Sequence, residues 1–391
     1  SCAAMEPSNG ADAPANDEGQ QEEGAGFCGV LLSAPLLTAM LVFIPVGMYW
    51  HHIDGSPEWI FAFNFLGIMP LAWLIGKCTE DLACHTGDIL GGLINATFGN
   101  VVEMLLCVAG IQQNQLNVTK CTLVGSILSN VLLVMGCAFL VGGCFYKTQN
   151  FSQAGASTQT SLLSLGTMSL ALPTLFFTLL GTEHEQMVQD SRIVSCLLLV
   201  VYFAYLFFSI YTHSYLFQSE GGDEEEVPDM GPWLAASLLF VFTIITSYCT
   251  EFLVDAIDGT IDSWHLSQEF IGIILLPIIG NAVEHYTAIT VAAKNKMDLS
   301  LGVAAGSGCQ MALLVTPFTV LAGWYMDKPM SLDFHPFQVI VLTFSVLVVG
   351  SCLQHGTSNW LEGLMLIVAY VMVALVYFFQ NDSPDGSLLI G

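Results

Sequence analysis

The sequence predicts an all-α polytopic membrane protein, and three observations carry that reading. The chain has 391 residues, of which 54% are hydrophobic and only 10% charged, with a mean hydropathy of +0.67, too apolar for a soluble globule of this size. Eleven runs are long and apolar enough to cross a bilayer, which takes about 20 residues as a helix. Finally, the pattern Gly99-Asn100-Val101-Val102-Glu103 returns as Gly280-Asn281-Ala282-Val283-Glu284, 181 residues on, and the same offset carries Gly125-Ser126 onto Gly306-Ser307.

Taken in order, the apolar runs lie near residues 29–49, 59–78, 88–111, 121–143, 161–181, 192–217, 232–255, 269–293, 300–325, 336–353 and 359–379. Turn and breaker chemistry separates them, as at Asp54-Gly55-Ser56-Pro57 and Asp327-Lys328-Pro329. Setting the first run aside leaves two groups of five around the acidic segment Ser219 to Pro232. The predicted layout is thus one extra N-terminal helix and two inverted five-helix repeats joined by an acidic linker. The boundaries follow: a disordered tail over 1–28, the first helix and its loop over 29–56, the first repeat over 57–218, the linker over 219–231, the second repeat over 232–380 and a C-terminal tail over 381–391. The halves are inverted because an odd number of spans separates their starts. Cys78-Thr79-Glu80 also recurs as Cys249-Thr250-Glu251, with ten extra residues in the second half that read as a loop around Asp258 to Gln268.

Composition excludes several functions. The net charge is −26, but 12 of the 33 acids fall in Glu6 to Glu23 and Glu220 to Asp229 and read as solvated segments. Seven basic residues leave no patch for nucleic acid. The twelve cysteines are scattered without metal-ligand spacing; Cys107, Cys137, Cys196 and Cys352, within apolar runs, read as small packing residues. The first 26 residues lack the basic and apolar regions of a cleavable signal. A cytoplasmic amino terminus places Lys77, Lys147, Lys294 and Lys296 inside and Lys120, Arg192 and Lys328 outside, a four-to-three balance. The sequons at Asn117 and Asn150 would then face opposite sides.

An ionisable residue at membrane depth is a functional signal by default. Asn and Glu at i and i+3 share a helical face, so Asn100 with Glu103 and Asn281 with Glu284 each pair an amide with a carboxylate. Facing each other, the pairs offer oxygens to a hard cation such as calcium. Gly99, Gly280 and Pro277 distort the backbone beside them, and Gly91-Gly92 loosens the first copy. Two acids sharing a dry site cannot easily both stay ionised, so protons and a divalent cation compete for them. Competition at a site exposed alternately to each side is sufficient for antiport. Ser126, Ser129 and Ser307 are supporting ligands or helix-to-helix hydrogen bonds, and the register sets Gln310 opposite Ser129. Glu80 and Glu251 lie near helix ends, where a carboxylate can be interfacial and inert; because each follows the repeated Cys-Thr, they are read as gating or proton-passage residues. His285 either shuttles protons or packs outside the site.

These residues resemble the calcium/cation–proton exchanger (CAX) family of eukaryotic vacuolar type. The resemblance covers roughly residues 57–380 and rests on Thr86 to Asn100 running into Glu103, on Val124 to Asn130, on Leu276 to His285 and on Lys294 to Ala304. It implies eleven spans, an acidic segment after the sixth, and export of Ca2+ from the cytosol into an acidic compartment, vacuolar or other, driven by the lumenal proton store. It also implies that Glu103 and Glu284 carry metal and protons with Asn100 and Asn281 beside them, and that Glu80, Glu251 and Gln310 belong to the proton path and gate. Val101 stands where Ala is common in that family, and Gly308-Cys309 where a small residue and Thr are.

The expected function is therefore secondary antiport of Ca2+ or another divalent cation for H+, by a transporter rather than an enzyme. The only ligands expected are the transported ions, with the lipid bilayer as surroundings and no nucleic acid; a homo-oligomer stays open. The alternatives are a sodium-coupled exchanger, a cation channel and a membrane scaffold, the last of which leaves the repeated intramembrane acids without a role.

Overall fold

Proline and glycine punctuation decides where the helices of this chain start, bend and stop. The computed structural model describes residues 26–181, 183–216 and 228–380. Most of the expected N-terminal tail, linker residues 219–227 and the segment 381–391 lie outside the described residues.

The first expected span is two helices, α1 (Gly26–Ser33) and α2 (Pro35–His52), bent by 96°. Pro35 forces the break: the residue before a proline is steered out of helical geometry, and Ala34 sits at φ −132°, ψ 72°. Next come α3 (Pro57–Thr86), α4 (Asp88–Phe98), α5 (Val101–Gln112) and α6 (Leu116–Phe145). Gly87, at φ 76°, separates α3 from α4. Gly91 and Gly92 lie inside α4 rather than loosening it; Gly91 N–H donates to the Gly87 carbonyl at 2.7 Å. Helix α7 (Gln153–Leu180) is capped by Ser152, whose hydroxyl accepts from Gly155 N–H, and α8 (His184–Thr212) follows.

The second half contains α9 (Pro232–Asp255), α10 (Ile257–Trp264), α11 (Gln268–Gly280), α12 (Ala282–Ala293), α13 (Met297–Tyr325), α14 (Pro336–Leu353) and α15 (Trp360–Phe378). The extra residues expected to form a loop are helical through Trp264, and only His265 to Ser267 form the connection to α11. Ile257 and Thr260 of α10 are buried, so this turn has an apolar face to pack, and left-handed His265 (φ 54°) ends it. Helix α11 then departs at 118° to α10.

Eight helices are long and apolar enough to cross a membrane, or up to eleven if each of three bent pairs is one span. Their ends fall into two sets. At the linker end, Gly26 N–H donates to the Asp229 carbonyl at 3.1 Å, and the Asp229 and Met230 N–H groups donate to the Asp81 carboxylate, each at 3.1 Å. There too, β1 (Gln149–Asn150) pairs antiparallel with β2 (Thr357–Ser358). At the opposite end, Gln113 Nε2 donates to the Glu251 carbonyl at 2.9 Å and Ser267 Oγ to the Tyr377 carbonyl at 2.9 Å.

Two buried apolar clusters hold the bundle. One joins α6, α7, α12, α13, α14 and α15 through residues such as Phe139, Leu163, Ala288, Met311 and Val349. The other joins α3, α9 and α11 through Ile68, Trp73, Leu253 and Ile279. Large apolar side chains also face outward, among them Leu197, Phe240 and Phe344, as lipid-facing helices require. Cys107 and Cys352 pack inside as expected, but Cys196 is exposed, on the outer side of α8. Asn117 lies in the first turn of α6.

Candidate cation and proton site

The repeated pattern sits at two matching helix breaks. Asn100 (φ −107°, ψ 19°) separates α4 from α5, and Asn281 (φ −89°, ψ 17°) separates α11 from α12. Both following helices have twelve residues and end before a left-handed asparagine, Asn114 (φ 59°) or Asn295 (φ 61°). The paired helices α6 and α13 then each contain a π-helical turn, Ser129–Val134 and Met311–Val315. Such turns free backbone groups and are common at functional positions.

Asn-x-x-Glu has the spacing of a helix-capping box, yet neither asparagine caps its own helix. Each backbone carbonyl accepts the first bond of the next helix, from Met104 or His285 N–H, and each side chain reaches the other half of the molecule. Asn100 Nδ2 donates to Gln310 Oε1 at 2.5 Å, and Asn281 Nδ2 to the Ser126 carbonyl at 3.1 Å. Asn130 Nδ2 donates to Ser307 Oγ at 2.9 Å. These three bonds stitch the halves together with their nitrogens and leave oxygens for other partners.

Those oxygens are the chemistry of the site. Asn100 Oδ1, both oxygens of Glu103, Ser126 Oγ, Ser129 Oγ, Asn130 Oδ1, Asn281 Oδ1 and Glu284 Oε2 are buried without a hydrogen-bond partner. Glu103 is 0% exposed and Glu284 9%. The Glu103 carboxylate presses against the opposite break: a Cβ on Gly280 would stand 2.9 Å from its Oε1. Both glutamates lie in the first turns of α5 and α12, where the positive ends of the helix dipoles favour negative charge. Among the described residues no three His, Cys, Asp or Glu side chains gather as a ligand group. A cation here would therefore be held by two carboxylates and several neutral oxygens, a hard-ligand set.

The sodium/calcium exchanger protein family matches residues 57–211 and 234–379. The chain belongs to that family. It is 42% identical over 361 residues to the Ca2+/H+ antiporter of Aphanothece halophytica, covering 88% of this chain and 97% of that one. To the vacuolar cation/proton exchanger 5 of Arabidopsis thaliana it is 40% identical over 372 residues, 92% of this chain and 84% of the other. The crystal structure of the selenium-substituted Ca2+/H+ antiporter protein YfkE superposes with a TM-score of 0.77 at 30% identity, covering 88% of this chain and all of that one.

In this member of the sodium/calcium exchanger protein family, the two halves meet water differently. A cavity of about 280 Å³ reaches Glu284, Ser307, Gln310, Gly99 and Gly280, and also takes in Glu80. Glu80 is ion-paired with Lys77 at 2.6 Å. Glu251, its counterpart, is exposed at the opposite end beside Gln113 and lines no part of that cavity. His285 Nδ1 donates to the Asn281 carbonyl at 2.8 Å, which fixes the ring against the break. Pro277 has no N–H to donate, and its carbonyl accepts from Asn281 N–H at 2.9 Å. Sequence reasoning missed Asn95, Thr287 and Asp298, which line the cavity wall. Their signal was helical periodicity: Thr287 lies one turn beyond Glu284 on the same face.

Proposed function

We propose that this protein is a secondary antiporter that exchanges Ca2+, or another divalent cation, for H+ across a vacuolar or other acidic endomembrane. The observation that carries the reading is the convergence of Glu103 and Glu284, one from each half, among buried oxygens that lack hydrogen-bond partners. Relatives known as Ca2+/H+ antiporter and vacuolar cation/proton exchanger, at 42% and 40% identity, support the choice of ions and membrane.

In this reading Glu103 and Glu284 carry the metal or the protons, and Asn100 and Asn281 supply amide oxygens. Ser126, Ser129 and Ser307 complete or position the shell. The backbone at Gly99, Gly280 and Pro277 keeps the helix breaks open. Glu80, Glu251 and Gln310 serve proton passage and gating, with His285 supporting Asn281. Binding a divalent cation requires both carboxylates to lose their protons, so the two cargoes exclude each other. Coupling follows if the empty, doubly charged site cannot cross between states. The protein is a transporter rather than an enzyme and needs no cofactor beyond its ions.

The architecture belongs to the same proposal: eleven spans, one extra helix followed by two inverted five-helix repeats over 57–218 and 232–380, joined by the linker 219–231, with tails at 1–28 and 381–391. Matching breaks at Asn100 and Asn281 support the repeat. Inverted repeats can exchange conformations, which yields alternating access.

The decisive experiment uses purified protein in sodium-free liposomes that are acidic inside. External Ca2+ should accumulate, and a protonophore with a potassium clamp should abolish the accumulation. Uptake that persists without the pH gradient, or that requires internal sodium, would replace this reading with a sodium-coupled exchanger.

A further inference from the structure

At the end opposite the linker, α8 and the turn after α13 enclose a groove of about 580 Å³ that is separate from the ion site. Its walls carry both signs of charge: Arg192, Lys328 and His184, together with Glu185 and Asp327. The chain contains only seven Lys and Arg, and Arg192 is its sole arginine, so two of the seven share this groove. The arginine is held in place. Its guanidinium lies 4.9 Å from the Trp324 ring centroid, and its Nε is buried without a hydrogen-bond partner. A planar guanidinium fixed against an aromatic face is preorganised for phosphate, which it grips through two parallel N–H bonds. Lys328 donates one hydrogen bond to Asn114 Oδ1 at 2.6 Å, and an ammonium has two further donors.

What surrounds these charges is apolar. Trp324 is 51% exposed, Ile193 55% and Leu197 61%, the latter two continuing along α8 into the apolar zone. An indole at this level is the usual marker of a membrane boundary. A soluble anion would leave that apolar strip unused, and a lipid with net negative charge would meet the two carboxylates of the same groove.

We propose that the groove seats the headgroup of one zwitterionic phospholipid, its phosphate on Arg192 and Lys328 and its ammonium beside Glu185 and Asp327. The acyl chains then follow the exposed face of α8. Charge complementarity selects this occupant: Arg192 and Lys328 for the phosphate, Glu185 and Asp327 for the ammonium.

The test is native mass spectrometry of the delipidated full chain titrated with phosphatidylethanolamine, phosphatidylglycerol or soluble phosphoethanolamine. The expected result is one bound phosphatidylethanolamine per chain, with affinity reduced at least about tenfold in R192Q and K328Q, since each removes charge-assisted hydrogen bonds to the phosphate. R192K, which keeps the charge but loses the planar fork, should fall between. The double variant E185Q/D327N should keep phosphate binding and lose the preference for ethanolamine over glycerol. Melting curves without lipid check that each variant is folded. Equal lipid retention by folded R192Q and the unaltered chain would overturn the proposal. So would equal binding of phosphatidylglycerol to the unaltered chain, which removes the zwitterionic assignment, or phosphoethanolamine binding as tight as the lipid, which makes the ligand a free phosphate ester.

Discussion

The two halves around Asn100 and Asn281 are near copies in backbone and unlike in access. Each has its break at Gly-Asn, a twelve-residue helix, a left-handed asparagine and a π-helical turn at corresponding positions. Yet Glu284 lines a cavity that also takes in Glu80, while Glu103 is sealed and Glu251 is exposed at the other end. Local geometry therefore does not decide which carboxylate meets water; the packing of one half against the other does. An exchanger needs that kind of difference, because the same elements must be able to trade places between states.

The largest effect should come from erasing what the halves share. E103Q and E284Q should each reduce pH-driven calcium uptake in liposomes at least about a hundredfold, since each removes one of the two buried carboxylates beside the helix breaks. Both variants should fold and melt at or above the original temperature, because the amide removes a charge from a dry interior. Strong uptake by either one would end the equivalence of the two glutamates.

Access itself can be measured at matched positions. Thr287 lines the cavity, whereas Leu106, 181 residues earlier, is 3% exposed. In a chain stripped of native cysteines, T287C should react with a membrane-impermeant thiol reagent at least about tenfold faster than L106C, as expected when the thiolate must be exposed to react. Equal rates would mean that the halves open alike.

Glycine substitutions separate the two breaks more finely. A Cβ at Gly280 would stand 2.9 Å from Glu103 Oε1, whereas one at Gly99 would stand 2.6 Å from the Asn95 backbone carbonyl. G280A should therefore shift a carboxylate and weaken calcium affinity about tenfold, roughly 1.4 kcal/mol, with little loss of stability. G99A should instead lower the melting temperature, because backbone cannot step aside. Identical consequences for both variants would remove the distinction.

The smallest effect concerns Asp333, in the loop between α13 and α14 at the end opposite the linker. Burial holds its carboxyl above the ordinary value of 3.8, against the opposing influence of Lys120, His184 and His335. A raised value in the folded state gives stability that is present below the unfolded value and is lost as pH rises through the folded one. D333N should thus be slightly more stable at neutral pH, by under about 2 °C, and the gap should close below pH 3.8. A D333N that is less stable at neutral pH would show that the charged form is the one this end requires.

The sequence alone determined the apolar runs, the doubled Gly-Asn-x-x-Glu pattern and the 181-residue register. Each of these is local: hydropathy needs only neighbours, and a capping-box spacing needs only four residues. It did not reveal that both asparagine side chains bond to partners in the other half, Asn100 while also donating to the Ala96 carbonyl of α4, since Gln310 and Ser126 lie far away in the chain. Nor did it show that most of the extra residues before α11 would be helical, because α10 is held by burial of Ile257 and Thr260. Tertiary structure alone decided that Glu80 joins the cavity and Glu251 does not. The physical reason is that near-identical local sequences have near-identical local energies, so only the contacts between the halves can make them differ.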